Sequence, residues 1–217
     1  MADDLNRNHD AETALADAVF TVVDLETTGG APPEHKITEI AAYRIENMQI
    51  TDEFVSLVNP ERNIPSFITK LTGINHEMVE GYPPSSELLP KLLTFLNDSV
   101  VVAHHSQFDR RFLDNELQLA HLPVLENADL CTSRLSRRIL PWLPSKSLGN
   151  LAGFFGVEIT DRHRAAADAE ATCRLLLILM DYLTARGVDT LEKLLLFQYG
   201  KYDYQRDITA SPAEASR

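Results

Sequence analysis

Four carboxylates stand where the surrounding pattern calls for apolar side chains. In AVFTVVDLETTGG, which reads as a buried strand over 18–26, Asp24 and Glu26 lie two residues apart and so leave the same face. Two like charges on one buried strand are costly without compensation, and a divalent cation is the simplest source of it. A strand end emerging into water is the alternative. In HRAAADAEATCRLLLILMDYLTARG, which predicts a helix over 163–187, Asp168 shares a stripe with Thr172, Leu175, Leu179 and Tyr182. That stripe faces the sheet, where a carboxylate is expected to be paired or metal-bound. Asp109, in VVVAHHSQFD, sits where a strand gives way to a helix. This is the carboxyl edge of a sheet, favoured by ligands, although a helix cap explains an Asp there equally well. His163 precedes Asp168 by five residues and lies about 140° round a helix axis from it. It leans over the same cavity or stays in an exposed loop.

The elements that must position these residues follow from periodicity. KITEIAAYRIEN (36–47) and ITDEFVSLVNP (50–60) are β-rich and form an antiparallel meander with the first strand. PSFITKLTGI, NHEMVEG and SSELLPKLLTFLND read as helices, and SVVVAHH (99–105) as a short strand before a helix over 108–122. ENADLCTSRLSRRIL reads as a strand and a helix, with further helices over 147–157, 163–187 and in VDTLEKLLLFQ. Antiparallel strands followed by alternating helices and strands define an α/β domain with a mixed sheet.

Composition narrows the function. The chain has 217 residues, 44% hydrophobic and 24% charged, with a formal net charge of −12. That balance excludes broad binding to duplex DNA through a basic footprint. It is compatible with acids gathered to hold cations. A local exception is 131–147, which carries Arg134, Arg137, Arg138 and Lys146, no acid, and Trp142. Such a stretch suits a single-strand path, or else a solvated helix face with Trp142 in the core. Cys131 and Cys173 have no metal-type spacing and read as reduced core thiols. The polar, acidic start is unlike a signal peptide, and LLLILM is too short to span a bilayer, so a cytoplasmic location without membrane attachment is expected.

The three acidic segments resemble the DEDD exonucleases in their His-containing (DEDDh) branch. That branch includes the DnaQ-like epsilon proofreading subunit of bacterial DNA polymerase III, RNase T and oligoribonuclease. The first motif matches at VVDLETTGG, the second at AHHSQFD and the third at HRAAADAEAT, in an H-x4-D arrangement. One departure is His105, where the second motif commonly has Asn. The resemblance implies a ribonuclease H-like fold with a central five-stranded mixed sheet, three antiparallel strands and then two parallel. It also implies two divalent cations, Mg²⁺ or Mn²⁺, held by Asp24, Glu26, Asp109 and Asp168. Asp24 would bridge the ions, Glu26 and Asp168 would complete one, and Asp109 would hold the other. His163 would be the general base, since an imidazole exchanges its proton near neutral pH.

By the same resemblance the terminal nucleotide rests near Leu25, Thr27 and Leu71, with His105 and Phe108 of the second motif beside it. Leu25 and Leu71 fit the core as well, and Thr27 fits a turn cap. Arg162 and Arg164, flanking His163, fit either a phosphate contact or an exposed loop. The expected reaction is 3′→5′ removal of nucleoside 5′-monophosphates from single-stranded or frayed DNA, in proofreading or repair, with a DNA polymerase subunit as candidate partner. The alternatives are an RNA-trimming exonuclease of the RNase T or oligoribonuclease kind, a non-catalytic partner-binding module and another metal-dependent phosphohydrolase. The expected layout is a flexible acidic tail over 1–17, with a fraying helix at AETALADA, an exonuclease domain over 18–186, and a C-terminal helix with a mobile polar tail over 187–217.

Overall fold

A computed structural model describes residues 12–202. Its strands are β1 (Phe20–Thr27), β2 (Ile37–Glu46), β3 (Gln49–Leu57), β4 (Val100–Ala103) and β5 (Asp129–Cys131). Its helices are α1 (Ser66–Thr72), α2 (His76–Val79), α3 (Ser85–Leu96), α4 (Ser106–Leu119), α5 (Thr132–Ile139), α6 (Leu148–Phe155), α7 (Ala165–Thr184) and α8 (Leu191–Gln198).

The sheet order is β3-β2-β1-β4-β5. β1 pairs antiparallel with β2 and parallel with β4, β2 pairs antiparallel with β3, and β4 pairs parallel with β5. This is the expected mixed sheet. Both faces are covered, so the central strands are apolar on each side rather than alternating. Phe20 and Val22 of β1 enter one core with Leu175, Leu176 and Leu179 of α7. Val23 and Leu25 enter a second core with α3 and with Phe112, Leu113 and Leu117 of α4.

β5 is the last strand of the sheet, and its outer hydrogen-bonding groups are met by a side chain. The Gln198 amide donates to the Asp129 carbonyl at 2.7 Å and accepts from the Cys131 N–H at 3.1 Å. A glutamine at the end of α8 thereby takes the place of a neighbouring strand. Leu191, Leu194, Leu195 and Phe197 of α8 are buried in the α7-side core, so this helix docks on its own chain.

The N-terminal expectation needs correction where the residues are described. Thr13–Asp17 form no helix and are not loose. Ala14 bridges Thr190, the Leu15 N–H donates to Asp189 at 2.9 Å, and the Leu15 side chain is buried in the core. Residues 1–11 and 203–217, which hold the rest of the expected tails, lie outside the described residues. Cys131 and Cys173 are free and buried, as their spacing suggested. Among the described residues no helix is long and apolar enough to cross a membrane.

Candidate active site

The site begins where one row of β1 changes character. Side chains alternate along a strand, so Phe20, Val22, Asp24 and Glu26 share the face that α7 covers. The first two are buried hydrocarbon, and the next two, half-buried, are the carboxylates. β2 repeats the pattern: Ile45, Tyr43 and Ala41 line the same core, and Glu39 follows them. The register sets Glu26 directly opposite Glu39. Like charges so placed repel, and each needs its own compensation.

Glu39 has its partners in the protein. It is 1% exposed, and its carboxylate accepts from Arg164 at 2.7 and 3.2 Å and from the Ala165 N–H at 2.8 Å. The two expected arginines thus separate. Arg164 is paired with Glu39, whereas Arg162 is exposed, its guanidinium lying over Gly149. Glu39 itself was missed in the sequence, where KITEIAAYRIEN reads only as a β-rich run.

α7 starts at Ala165, two residues later than the sequence pattern suggested. His163 therefore lies outside the helix, in a turn, with φ 64. This left-handed conformation costs an ordinary residue about 1–2 kcal/mol. It turns the His163 N–H onto Asp168 Oδ2 at 3.1 Å. The other oxygen, Asp168 Oδ1, is buried without a hydrogen-bond partner. One ligand atom from each of Glu26, His163 and Asp168 can be chosen so that all lie within 4.8 Å of one another.

Asp109 arrives from the first turn of α4 and is buried. The β1–β4 ladder ends at Val22↔Val102, which leaves the later N–H groups of β1 free on that side. The Leu25 N–H uses this freedom to hydrogen-bond the Asp109 carboxylate. Leu25 contributes to the site through its backbone, while its side chain is core.

The electrostatics show how tightly these acids are gathered. Burial pushes Glu26 up to about 8, and the charges of Asp168, Glu39 and Asp109 add to that. Burial likewise raises Asp109 to about 8, against the Asp109 and Leu25 N–H groups, which lower it. Asp24 is held well above the usual carboxylate range by burial and then by Asp109, Glu26, Asp168 and Glu39. Asp168 is raised by burial and eased by the His163 N–H. Four oxygen-bearing side chains that oppose one another's ionisation, one with an unpartnered oxygen, fit hard divalent cations.

The remaining expected residues divide between site and scaffold. Leu71 is 52% exposed on α1, so it is not core. Thr27 is a turn cap, its hydroxyl donating to the Gly29 carbonyl at 2.7 Å. His105 is exposed, and Phe108 is half-buried with its ring 5.0 Å from that of Phe112. In the basic stretch, Trp142 is 62% exposed, which overturns its placement in the core. Arg134 lies 4.6 Å over the Tyr199 ring and Arg138 4.5 Å over that of Phe197, so α8 takes both. Lys146 Nζ donates to the Leu143 carbonyl.

The fold and site define an α/β protein with carboxylates converging at the carboxyl end of its central strand, the edge that ligands favour in such sheets. The exonuclease family model matches residues 21–176. The chain is 35% identical to the DNA polymerase III subunit epsilon of Aquifex aeolicus over 189 residues, 87% of this chain and 94% of that protein. It is 39% identical to the PolC-type DNA polymerase III of Caldanaerobacter subterraneus over 181 residues, 83% of this chain but 13% of that protein. Among solved structures, exonuclease X in complex with 5′ overhanging duplex DNA superposes with a TM-score of 0.66 at 25% identity, covering 82% of this chain and 99% of that one. The chain belongs to the exonuclease family.

Proposed function

We propose that this exonuclease hydrolyses the terminal phosphodiester at the 3′ end of single-stranded or frayed DNA, releasing nucleoside 5′-monophosphates. The observation that carries the reading is the convergence of Asp24, Glu26, Asp109 and Asp168 with an unpartnered Asp168 oxygen. These four side chains would hold two divalent cations, Mg²⁺ or Mn²⁺. Bound there, such ions polarise the phosphate and stabilise charge on the attacking and leaving oxygens.

The chain's own residues do the rest. β1 holds Asp24 and Glu26 on a rigid strand, and the His163 N–H orients Asp168. The His163 imidazole takes a proton from the attacking water. The water oxygen bonds to phosphorus as the bond to the 3′ oxygen of the penultimate nucleotide breaks, and that oxygen takes a proton from solvent to leave as a hydroxyl. Loss of a general base lowers turnover by about 10²–10⁴-fold, so His163→Ala is expected to do so with little change in KM. Leu71, with the exposed Phe67 one turn earlier on α1, offers an apolar seat for the terminal base. A DNA substrate and a role in proofreading or repair are supported by the names of the relatives, and for proofreading the candidate partner is a polymerase subunit.

The test is a time course on 5′-labelled DNA and RNA oligomers with Mg²⁺, Mn²⁺ or chelator. The expected result is a metal-dependent ladder shortening from the 3′ end, faster on DNA. A faster RNA ladder moves the enzyme to RNA trimming, and no ladder on either substrate refutes the reading.

A further inference from the structure

A cleft of about 270 Å³ opens at the N-terminus of α4. Its walls include His105, Phe108, Arg111, Ser133, Arg134 and Arg137. The first turn of α4 supplies Phe108 to the cleft and Asp109 to the carboxylate site, and the cleft presents the opposite charge. Arg111 and Arg137 are exposed, and among the described residues neither meets an acid or any other hydrogen-bond partner. Arg134 is steadied by the Gln198 amide at 3.3 Å and by the Tyr199 ring. Of the nearby acids, Asp129 accepts the Ser106 hydroxyl at 2.9 Å and offsets part of the Arg134 charge, while Asp109 accepts the Leu25 N–H, so Arg111 and Arg137 are the cations left for a ligand.

Two further features favour an anion here. At the start of α4 the Phe108 N–H donates to the His105 carbonyl at 2.7 Å and the Asp109 N–H to its own carboxylate, which leaves the Ser106 and Gln107 N–H groups open at the positive end of the helix dipole. Ser133, 1% exposed and part of the cleft wall, carries a buried hydroxyl without a hydrogen-bond partner. Arginine forks, open N–H groups and an unused hydroxyl match the tetrahedral oxygens of a phosphate. The ring of Phe108 adds a surface for an adjoining base.

We propose that this cleft seats a backbone phosphate of the substrate strand, upstream of the bond being cut. The assignment rests on the nuclease reading above and extends it: an acidic catalytic centre is paired with a separate basic grip on the strand. The grip lengthens the preferred substrate beyond one nucleotide and makes its affinity depend on salt.

The experiment compares wild type with Arg111→Gln/Arg137→Gln on two substrates. One is the p-nitrophenyl ester of thymidine 5′-monophosphate, which offers a scissile bond and no upstream phosphate. The other is a single-stranded DNA dodecamer. The double variant is expected to hydrolyse the ester within about twofold of wild type while its KM for the dodecamer rises about tenfold. The slope of log affinity against log salt is expected to become shallower by about 0.7 for each phosphate that the variant no longer neutralises. Arg111→Lys/Arg137→Lys is expected to recover most of the affinity, since the charge is kept. Anisotropy of a labelled dodecamer in chelator reads the same weakening without turnover, so the cleft stays testable even if wild type cuts neither substrate. An unchanged dodecamer affinity and salt slope would overturn the proposal. So would an equal loss on the ester. Loss of inorganic phosphate binding with dodecamer affinity intact would assign the cleft to free phosphate and overturn the strand assignment too.

Discussion

Glu39 on β2 receives the Arg164 guanidinium at 2.7 and 3.2 Å, from 125 residues further along the chain. The same carboxylate takes the Ala165 N–H, so it fixes where α7 begins and thereby where His163 and Asp168 stand. The two partners are unequal. Glu39 is buried opposite Glu26, whereas the Arg164 side chain is 31% exposed and can reach water. Removing the arginine strands a buried charge, for which about 3–5 kcal/mol is typical. Arg164→Ala is therefore expected to lose that much stability, and Glu39→Gln clearly less, in chemical denaturation. Both are expected to lower kcat more than KM. Equal destabilisation by the two would contradict this asymmetry.

Removing metal makes the pH dependence of stability explicit. Without metal, burial pushes Glu26 and Asp109 up to about 8, against about 4 for carboxyls in an unfolded chain. Between these values the folded state keeps protons that the unfolded state has released, so stability falls as pH rises through the window. Cations bind the ionised carboxylates and displace those protons. The gain in Tm on adding Mn²⁺ is expected to be small near pH 5 and large near pH 8. A gain independent of pH would argue against a carboxylate site.

His104 runs the other way. It is buried between the Thr132 hydroxyl at 2.9 Å and the Lys146 carbonyl at 2.8 Å. A carbonyl cannot donate, so Nε2–H faces Lys146 and Nδ1 accepts from Thr132. Burial lowers its pKa to about 4, and the charges of His105 and Arg137 act in the same direction. Its contribution is fully present above about pH 6.5 and is lost as pH falls toward 4. The Tm difference between wild type and His104→Asn is expected to shrink over that interval. A constant difference would show that the imidazole does not titrate with folding.

Leu71 is 52% exposed, so Leu71→Ala removes little packing. An unchanged Tm is expected, together with a KM raised severalfold both for single-stranded DNA and for the nitrophenyl ester, which keeps the terminal base. An unchanged KM would remove Leu71 from the substrate seat.

The sequence showed the site where a residue broke a local period. Asp24 and Glu26 interrupt a strand row, and Asp168 interrupts a helical stripe, so both were visible from spacing. The meander of β1–β3 was readable from three consecutive β-rich runs, whereas the five-stranded sheet came from the family resemblance and its order from the structure. Interactions between distant segments left no such mark. Glu39 sits in a strand whose pattern looks ordinary, and its meaning depends on α7. Gln198 closes the sheet edge from a helix end, and no periodicity announces a side chain used as a strand. His163 lies in a backbone conformation that a helical pattern conceals.

The most direct measurement follows the first product. A 3′-labelled DNA strand is incubated with Mn²⁺ and either wild type or Asp24→Asn, with circular dichroism confirming that both are folded. The expected result is immediate release of the label as a nucleoside 5′-monophosphate by wild type, with release slowed by at least about 10³-fold in the variant, on the scale of losing an electrostatic element of the transition state. Label retained on a strand that shortens from its 5′ end, or equal release by the two proteins, would contradict a 3′→5′ exonuclease built on these carboxylates.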